Sequence, residues 1–195
     1  TFHSNDNSQF YLTNSDAAGS GVSNVSTILQ SPSFSTMGYS TASLQFYHHF
    51  NYLSGDINSA NVEVSTNGTS WTTLQSYVAD EGTESSFVLA TINLNAYINN
   101  ATVYIRFRYD SEWDWWWAVD NVTITGTPSS TTYAWTASPI TGAGLPGSAA
   151  TLSAANNSIT ITPTTTGAFT YTVTTNNSCL APGTVTVTST TGSLV

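Results

Sequence analysis

Apolar and polar residues alternate with a period of two through most of this chain, and that pattern narrows the possible folds more than any other feature. Leu44, Phe46 and Phe50 fall on one side of an extended segment, while Gln45 and Tyr47 fall on the other. Successive side chains of a β-strand point to opposite faces, so this spacing predicts a half-buried strand. Segments with the 3.6-residue period of a helix are nearly absent. The sequence therefore predicts an all-β protein.

A hairpin is predicted shortly after that strand. Residues 61–66 alternate in the same way, and Asn67-Gly68 follows them. Asn-Gly between alternating segments is the strongest short-range hairpin signal. The strand pattern resumes at Trp71, which predicts the second arm.

Both cations of the chain fall on one further predicted strand, residues 102–109. Arg106 and Arg108 share its wetter face with Tyr104. The opposite face is apolar and is predicted to be buried: Val103, Ile105, Phe107 and Tyr109. We expect an acidic neighbour such as Glu63 to pair with the arginines across strands.

Charge is distributed unevenly along the 195 residues. The chain has 2 Lys and Arg against 11 Asp and Glu, a net charge of −9, and all of them lie between Asp6 and Asp120. Residues 125–131 combine Gly, Pro, Ser and Thr between two strand patterns, which is typical of a linker. We therefore predict two domains, residues 1–127 and residues 128–195.

The predicted second domain is rich in Thr and Ser but patterned. Its short predicted strands are residues 132–135, 158–162, 169–174 and 184–188. Such strands separated by Gly, Pro and Asn turns predict a small immunoglobulin-like β-sandwich with Trp135 in its core. Cys179 is the only cysteine, so it forms no internal disulfide and is expected to be a small buried hydrophobe.

Two arginines and no lysine exclude several classes of function. Nucleic-acid binding and attachment to anionic membranes need clustered cations, and Schiff-base chemistry or a P-loop needs a lysine. No apolar run approaches the roughly 20 residues of a membrane-spanning helix. The sequence starts at Thr1 without a basic leader, so we expect a mature product or a fragment of a longer protein.

The last strand of the first domain changes its apolar face partway along. Trp115, Trp117 and Val119 occupy odd positions, whereas Val122 and Ile124 occupy even ones. A β-bulge at Asp120-Asn121 is the simplest cause of such a change. Bulges redirect side chains, and these two residues carry oxygen ligands.

Several motifs recur in the order found in one family. They are Asn14-Ser15-Asp16-Ala17-Ala18-Gly19-Ser20-Gly21, Leu29-Gln30-Ser31-Pro32-Ser33-Phe34, the strand from Leu44 to Phe50, Gly55-Asp56, Val62-Glu63-Val64-Ser65-Thr66-Asn67-Gly68-Thr69-Ser70-Trp71, Val103-Tyr104-Ile105-Arg106-Phe107-Arg108-Tyr109 and Trp116-Trp117-Ala118-Val119-Asp120-Asn121-Val122. This order resembles the MAM-like, choice-of-anchor or cleaved-adhesin modules of secreted bacterial surface proteins. The second domain resembles the PKD-like or immunoglobulin-like repeats that follow such modules.

The resemblance implies an antiparallel jelly-roll β-sandwich at the cell surface or secreted, with an adhesive or carbohydrate-binding role, no catalysis, and a structural calcium. Calcium takes six to eight oxygen ligands. Asp16 and Asp120 are the leading candidates, followed by Asn14 and Asp56. The alternative is that Asp16 and Asp56 only form turns beside glycine. Family modules often carry a second acid where this chain has Ser15.

Residues 109–117 form the most unusual segment, with four of the six Trp and three carboxylates. Sugar rings stack on aromatic faces and their hydroxyls bind carboxylates, so the segment is a candidate glycan platform. The candidate ligand-binding residues are Tyr109, Glu112, Trp113, Asp114 and Trp116. The alternative is that the Trp side chains belong to the core, with Trp115 and Trp117 on the buried face and Trp113 and Trp116 facing outward.

Catalysis is the weaker interpretation of the same segment. Glu112 and Asp114 are two apart, a spacing that places both carboxylates on one side of a strand, as a glycosidase pair would need. No Gly-x-Ser-x-Gly motif is present, and one cysteine without His-x-x-x-His spacing argues against zinc. His48 lies on an apolar face and is predicted to be a core histidine, whereas His49 is predicted to face outward.

Two functions remain after these exclusions. The first is an extracellular module that binds a glycan or a surface protein, with the second domain as a spacer. The alternative is a structural subunit of an extracellular fibre that self-associates through the uncharged second domain, which lacks the charges that normally protect exposed sheet edges.

Overall fold

The structure is a computed structural model that describes residues 3–19, 24–53, 58–112, 115–145, 150–152, 158–177 and 180–190. The strands are β1 Tyr11–Asn14, β2 Val25–Gln30, β3 Tyr39–Phe50, β4 Asn58–Ser65, β5 Thr72–Tyr77, β6 Val88–Asn93, β7 Tyr104–Ser111, β8 Trp116–Pro128, β9 Tyr133–Ser138, β10 Ala150–Leu152, β11 Gly167–Thr175 and β12 Gly183–Ser189. Two short 3-10 helices cover Asp16–Ala18 and Asn95–Tyr97. The predicted all-β class is confirmed. Within the described residues no helix is long and apolar enough to span a membrane.

The chain divides into two compact units, residues 1–127 and residues 128–195. In the first unit, two four-stranded sheets have the orders β1-β8-β3-β6 and β2-β7-β4-β5. The chain changes sheet at each connection except the hairpin between β4 and β5, and this is the strand order of a jelly roll. The predicted hairpin is confirmed, with a register shift between Val62 and Glu63.

Aromatic rings fill the space between the two sheets of the first unit. The Trp117 ring on β8 lies 5.8 Å from Phe107 and 6.2 Å from Tyr77, both on the opposite sheet. Its Nε1 donates a hydrogen bond of 3.3 Å to Nδ1 of His48. The prediction that His48 is a core histidine is therefore confirmed.

His49 is buried as well, contrary to the prediction that it faces outward. Its ring packs against Phe87 and Trp116, and its Nδ1 lies 3.0 Å from the Glu81 carbonyl oxygen. The residue does point away from the core between the sheets, but residues 81–87 fold back over that face and cover it.

The apolar face of β8 changes side at the predicted position. Trp117 and Val119 belong to the core, and Ile124 packs against the same core five residues further on. Asn121 adopts a left-handed φ of 50° between them. A residue in this conformation turns the strand as a bulge does.

The two arginines and two carboxylates form one network on the outer face of the second sheet. Arg106 Nε lies 2.5 Å from one Glu63 oxygen, and Arg108 lies 3.1 Å from the other. Arg108 also pairs with Asp110. Glu63 is buried, and the Arg106 guanidinium lies 4.1 Å above the Trp71 ring. The predicted pairing of the arginines with Glu63 is confirmed.

The second unit contains one four-stranded sheet among its described residues, in the order β10-β9-β11-β12. Phe169, Tyr171 and Ala143 are its buried apolar residues, and the Tyr171 hydroxyl donates a 2.8 Å hydrogen bond to the Ala143 carbonyl. Trp135, predicted as the core residue, is only half-buried on β9. The immunoglobulin-like assignment stays a prediction, and Cys179 lies outside the described residues.

The strand predicted over residues 158–162 does not form. Ile161 nevertheless packs against the core of the second unit. Alternation places such a side chain inward, but a strand also needs a neighbour to pair with. The pattern therefore predicted correctly that Ile161 packs inward, but its prediction of a strand was wrong.

Protonation of His48 should destabilise the fold. Burial, with a smaller effect from the charge of His49, lowers the pKa of His48 from 6.5 to about 4. The unfolded chain therefore takes up a proton at higher pH than the folded chain does, and stability should fall by roughly 3 kcal/mol as the pH drops from 6.5 to 4. Urea unfolding across this pH range measures the free energy of unfolding of the wild type and of His48→Phe. The free energy of unfolding should fall less steeply with decreasing pH in the variant. An equally steep fall in both proteins would contradict this prediction.

Removing the charge of Glu63 should leave two arginines without their shared partner. Breaking a buried ion pair costs about 3 to 5 kcal/mol, but the arginine side chains are 18% and 30% exposed. Solvent reduces the penalty, and we expect Glu63→Gln to lose about 2 kcal/mol in urea unfolding. Glu112→Gln makes the same change on a half-buried acid outside the network. Its free energy of unfolding should stay within about 0.5 kcal/mol of the wild-type value.

Candidate functional site

The three consecutive tryptophans of the predicted platform take three different environments. Trp117 is in the core, Trp116 is half-buried on the outer face, and Trp115 is 40% exposed. The prediction that Trp116 faces outward is thus correct and the prediction that Trp115 is buried is wrong. Strand β8 begins at Trp116, so Trp115 precedes the strand and does not follow its alternation. The rings of Trp115 and Trp116 meet edge to face, with centroids 5.2 Å apart.

Of the other predicted ligand-binding residues, the structure describes Tyr109 and Glu112. Tyr109 is only 1% exposed, and its hydroxyl lies 3.1 Å from the Ser15 hydroxyl and 3.4 Å from the Trp115 carbonyl oxygen. It is a core residue, because its odd position on β7 faces the opposite sheet. Glu112 follows directly after β7 and is half-buried. Trp113 and Asp114 lie outside the described residues.

Trp116 lines a groove of about 280 Å³, which we call the Trp116 groove. The residues that form it come from the end of β3, the start of β8 and the loop before β6: His49, Asn51, Asp80, Gly82, Thr83, Glu84, Ser85 and Trp116. The Asn51 amide donates a 3.1 Å hydrogen bond to the Trp116 carbonyl, which joins β3 to β8 at this point. The residues of this single groove thus include one indole ring, one imidazole ring, one side-chain amide and two carboxylates.

Hydrogen bonds from backbone amides hold the loop that forms one wall of the groove. Glu81 and Phe50 exchange two hydrogen bonds of 2.8 Å. Thr83 and Ser86 exchange a second pair, of 2.9 and 3.1 Å. Asp80 Oδ1 also accepts a 2.8 Å hydrogen bond from the Tyr52 amide. The groove is thus fixed before any ligand arrives, which lowers the entropy cost of binding.

Gly82 allows the loop to lie close to the backbone of His48 and Ser86. Its φ is +67°, and a Cβ at this position would lie 2.9 Å from the Ser86 carbonyl oxygen and 3.0 Å from that of His48. Only glycine adopts such a backbone without strain and leaves room for two carbonyl groups. The shape of the Trp116 groove therefore depends on this residue.

The groove combines features that suit an uncharged sugar. An indole face stacks on the C–H face of a sugar ring, while carboxylate and amide groups accept and donate hydrogen bonds to its hydroxyls. The two arginines pair with Glu63 and Asp110 elsewhere, so no described lining residue is a lysine or arginine. Asp80 and Glu84 make the groove unfavourable for anionic ligands.

The predicted calcium ligands that the structure describes, Asn14, Asp16 and Asp120, lie at two separate places. Asn14 pairs with Trp116 across the sheet, and Asp16 starts the following 3-10 helix. Asp120 is four residues further along β8, which corresponds to about 13 Å of strand. Asn14 Oδ1 accepts a hydrogen bond from the Ala17 amide, and Asp56 lies outside the described residues. Calcium binding stays a prediction from the resemblance.

Asp120 connects the N-terminal segment to the sheet through hydrogen bonds. Its Oδ2 accepts a 2.9 Å hydrogen bond from the Asn5 amide, and its Oδ1 accepts one of 2.7 Å from the Asn121 amide. The Asn121 side chain donates to Asp6 at 2.8 Å. Hydrogen bonds from Ser8, and then from Asn121, hold the pKa of Asp6 below its usual value. Backbone amides thus compensate the buried charge of Asp120.

No protein-family model matches this chain, and no curated protein is significantly similar to it in sequence.

The sequence did not point to Asn51, Asp80 or Glu84. They lie 32 to 65 residues before Trp116, and only the fold brings them to it. The signal available was the run Asp80-Glu81-Gly82-Thr83-Glu84, in which a glycine interrupts three acids between two strands. A run of this kind is typical of a loop, but its position beside an aromatic residue is a long-range property.

Replacing Gly82 by alanine should distort the Trp116 groove. The positive φ and two close carbonyl oxygens together should cost about 1 to 3 kcal/mol of unfolding free energy. Gly68→Ala is the matched control, because Gly68 has a φ of +75° but its new methyl group would meet only the Tyr104 ring, at an ordinary van der Waals distance of 3.4 Å. It should lose about 1 kcal/mol or less from backbone strain alone. Thermal unfolding of both variants tests the difference, and equal losses would show that crowding at Gly82 is unimportant.

Proposed function

We propose that this chain is a non-catalytic extracellular module that binds an uncharged sugar in the Trp116 groove. The observation that carries the proposal is the meeting of Trp116 with Asp80, Glu84 and Asn51 in one groove. Recognition needs a flat apolar surface beside a few polar groups that fix the orientation of the ligand. The loop around Gly82 supplies two of these groups, Asp80 and Glu84, and backbone hydrogen bonds hold it in place.

The size and charge of the groove narrow the ligand. Ligand clefts usually measure about 300 to 1,000 Å³, and this groove is slightly smaller at about 280 Å³. A single sugar unit or the end of a chain fits this volume better than the middle of a long polysaccharide. The net charge of −9 adds to the repulsion of uronic or sialic acids, so neutral sugars are the favoured class.

The test is binding measured on the intact chain. A glycan array identifies neutral sugars that bind, and isothermal titration calorimetry then measures the affinity of the strongest one. Trp116→Ala should weaken this binding at least tenfold, because the stacking surface is lost. Asp80→Asn and Glu84→Gln should each weaken it by a smaller factor, since they keep a polar group but remove the charge-assisted hydrogen bond.

The matched control is Trp71→Ala, which removes another tryptophan beside the opposite sheet, where it packs on Arg106. It should bind with wild-type affinity. Circular dichroism and thermal unfolding establish that each variant is folded. Wild-type binding by Trp116→Ala, or an array without any neutral-sugar ligand, would contradict the proposal.

Two further readouts separate related possibilities. Titrations in calcium chloride and in EDTA measure whether the calcium predicted from the resemblance affects binding. Incubation of the bound sugar with the protein, followed by chromatography, detects hydrolysis. Released product would overturn the non-catalytic assignment while leaving the Trp116 groove as the site.

A further inference from the structure

The edge strand β12 of the second unit is regular and uncharged, and its valines are partly exposed. It stands at the end of the sheet order β10-β9-β11-β12, so no described strand pairs with its outer side. Its register with β11 runs without a shift from Gly183 to Ser189. An unpaired, regular edge offers a row of backbone donors and acceptors to another strand.

The usual protections of an exposed edge are missing from β12. Its sequence is Gly183-Thr184-Val185-Thr186-Val187-Thr188-Ser189, with no charged residue and no proline. Natural edges are normally protected by lysine, proline, bulges or short length. In the first unit, edge strand β1 has only four residues and edge strand β5 is irregular beside β4, whereas edge strands β2 and β6 are uncharged and regular like β12.

The apolar side of β12 continues the core of its unit but is left in solvent. Val187 lies opposite Phe169 and Val185 lies opposite Tyr171 on the neighbouring strand. Directly opposite residues of an antiparallel pair share one face of the sheet. Phe169 and Tyr171 are buried, whereas Val187 is 38% and Val185 is 52% exposed. The apolar face therefore extends to the edge of the sheet without a cover among the described residues.

The strand is also complementary to itself. Val185 and Val187 are symmetric about Thr186, as are Thr184 and Thr188. When two copies pair antiparallel about a two-fold axis at Thr186, each Val185 lies opposite a Val187 of the other copy. All four valines then lie on the same face, and threonines face threonines on the other. A two-fold contact needs this kind of self-complementary patch.

The distribution of charge favours a second copy of this chain, rather than a charged partner, as the strand that pairs with β12. The net charge of −9 arises entirely from residues between Asp6 and Asp120, and residues 121–195 contain no Asp, Glu, Lys or Arg. Two copies repel each other through their first units, but contact through β12 joins surfaces that carry no charged side chains. An acidic or basic partner would gain nothing from such a strand.

The geometry points to β12 as a self-association edge, on which a second copy of this chain pairs its own β12 antiparallel to form a two-fold dimer. The inference does not depend on sugar binding by the Trp116 groove. It concerns a different unit of the chain.

The experiment measures the mass of the full chain by sedimentation velocity and light scattering, from about 1 μM to about 500 μM. We expect a monomer of 20.7 kDa to convert to a dimer of twice that mass, with a dissociation constant of micromolar order. Thr186→Lys places two like charges at the two-fold axis and should keep the protein monomeric throughout. Thr160→Lys, the same substitution at an exposed threonine outside β12, should dimerise like the wild type.

Hydrogen exchange on the wild type provides a second readout that needs no variant. Amides of residues 183–189 should exchange more slowly at 500 μM than at 1 μM, while those of edge strand β1 should not change. A monomeric wild type at all concentrations, a dimeric Thr186→Lys, or equal behaviour of the two lysine variants would overturn the inference. Large polydisperse aggregates would also overturn it, because a two-fold contact closes at two copies.

Discussion

The first unit depends on the burial of Trp117 between its two sheets. The ring lies on β8, makes its contacts with Phe107 and Tyr77 on the opposite sheet, and donates to His48 on its own sheet. Since neighbouring side chains of a strand face opposite ways, an inward Trp117 requires an outward Trp116. The same packing therefore determines both the core and the aromatic surface of the Trp116 groove. It also requires His48 to be neutral, because its Nδ1 accepts the hydrogen bond from Trp117.

The ion network around Glu63 explains how so acidic a chain uses its two cations. Both arginines lie on β7, and both contact the buried carboxylate of Glu63. A buried carboxylate without a partner is costly, whereas solvated acids on the surface cost little. The two arginines thus lie beside the carboxylate that solvent does not reach, Glu63. Arg108 also pairs with Asp110. Asp120 is a second buried acid, and backbone amides from Asn5 and Asn121 stabilise it instead.

Short-range pattern predicted the elements that follow a regular strand. The buried residues of β7, the hairpin at Asn67-Gly68 and the pairing of Glu63 with the arginines all depend on local alternation and on one adjacent strand. The errors arose where alternation ends or where distant segments meet. Trp115 precedes its strand, and His49 is covered by a loop more than thirty residues away. The acids of the Trp116 groove belong to that same loop, and the separation of Asp120 from Asn14 depends on the register of β1 with β8. No local signal encodes these distances.

The proposed sugar site and the proposed self-association edge would together have one consequence for binding. A groove of this size makes few contacts with a ligand, and single-site affinity is expected to be weak. A two-fold dimer carries two grooves, and the second binding event on a repetitive glycan surface becomes intramolecular. Apparent affinity for a surface then exceeds the affinity for a free sugar, provided that the spacing of the ligands matches the two sites. A closed dimer does not by itself build a fibre, since an open assembly needs a second, heterologous contact on every copy. The β12 edge therefore favours a bivalent binding protein over the fibre subunit.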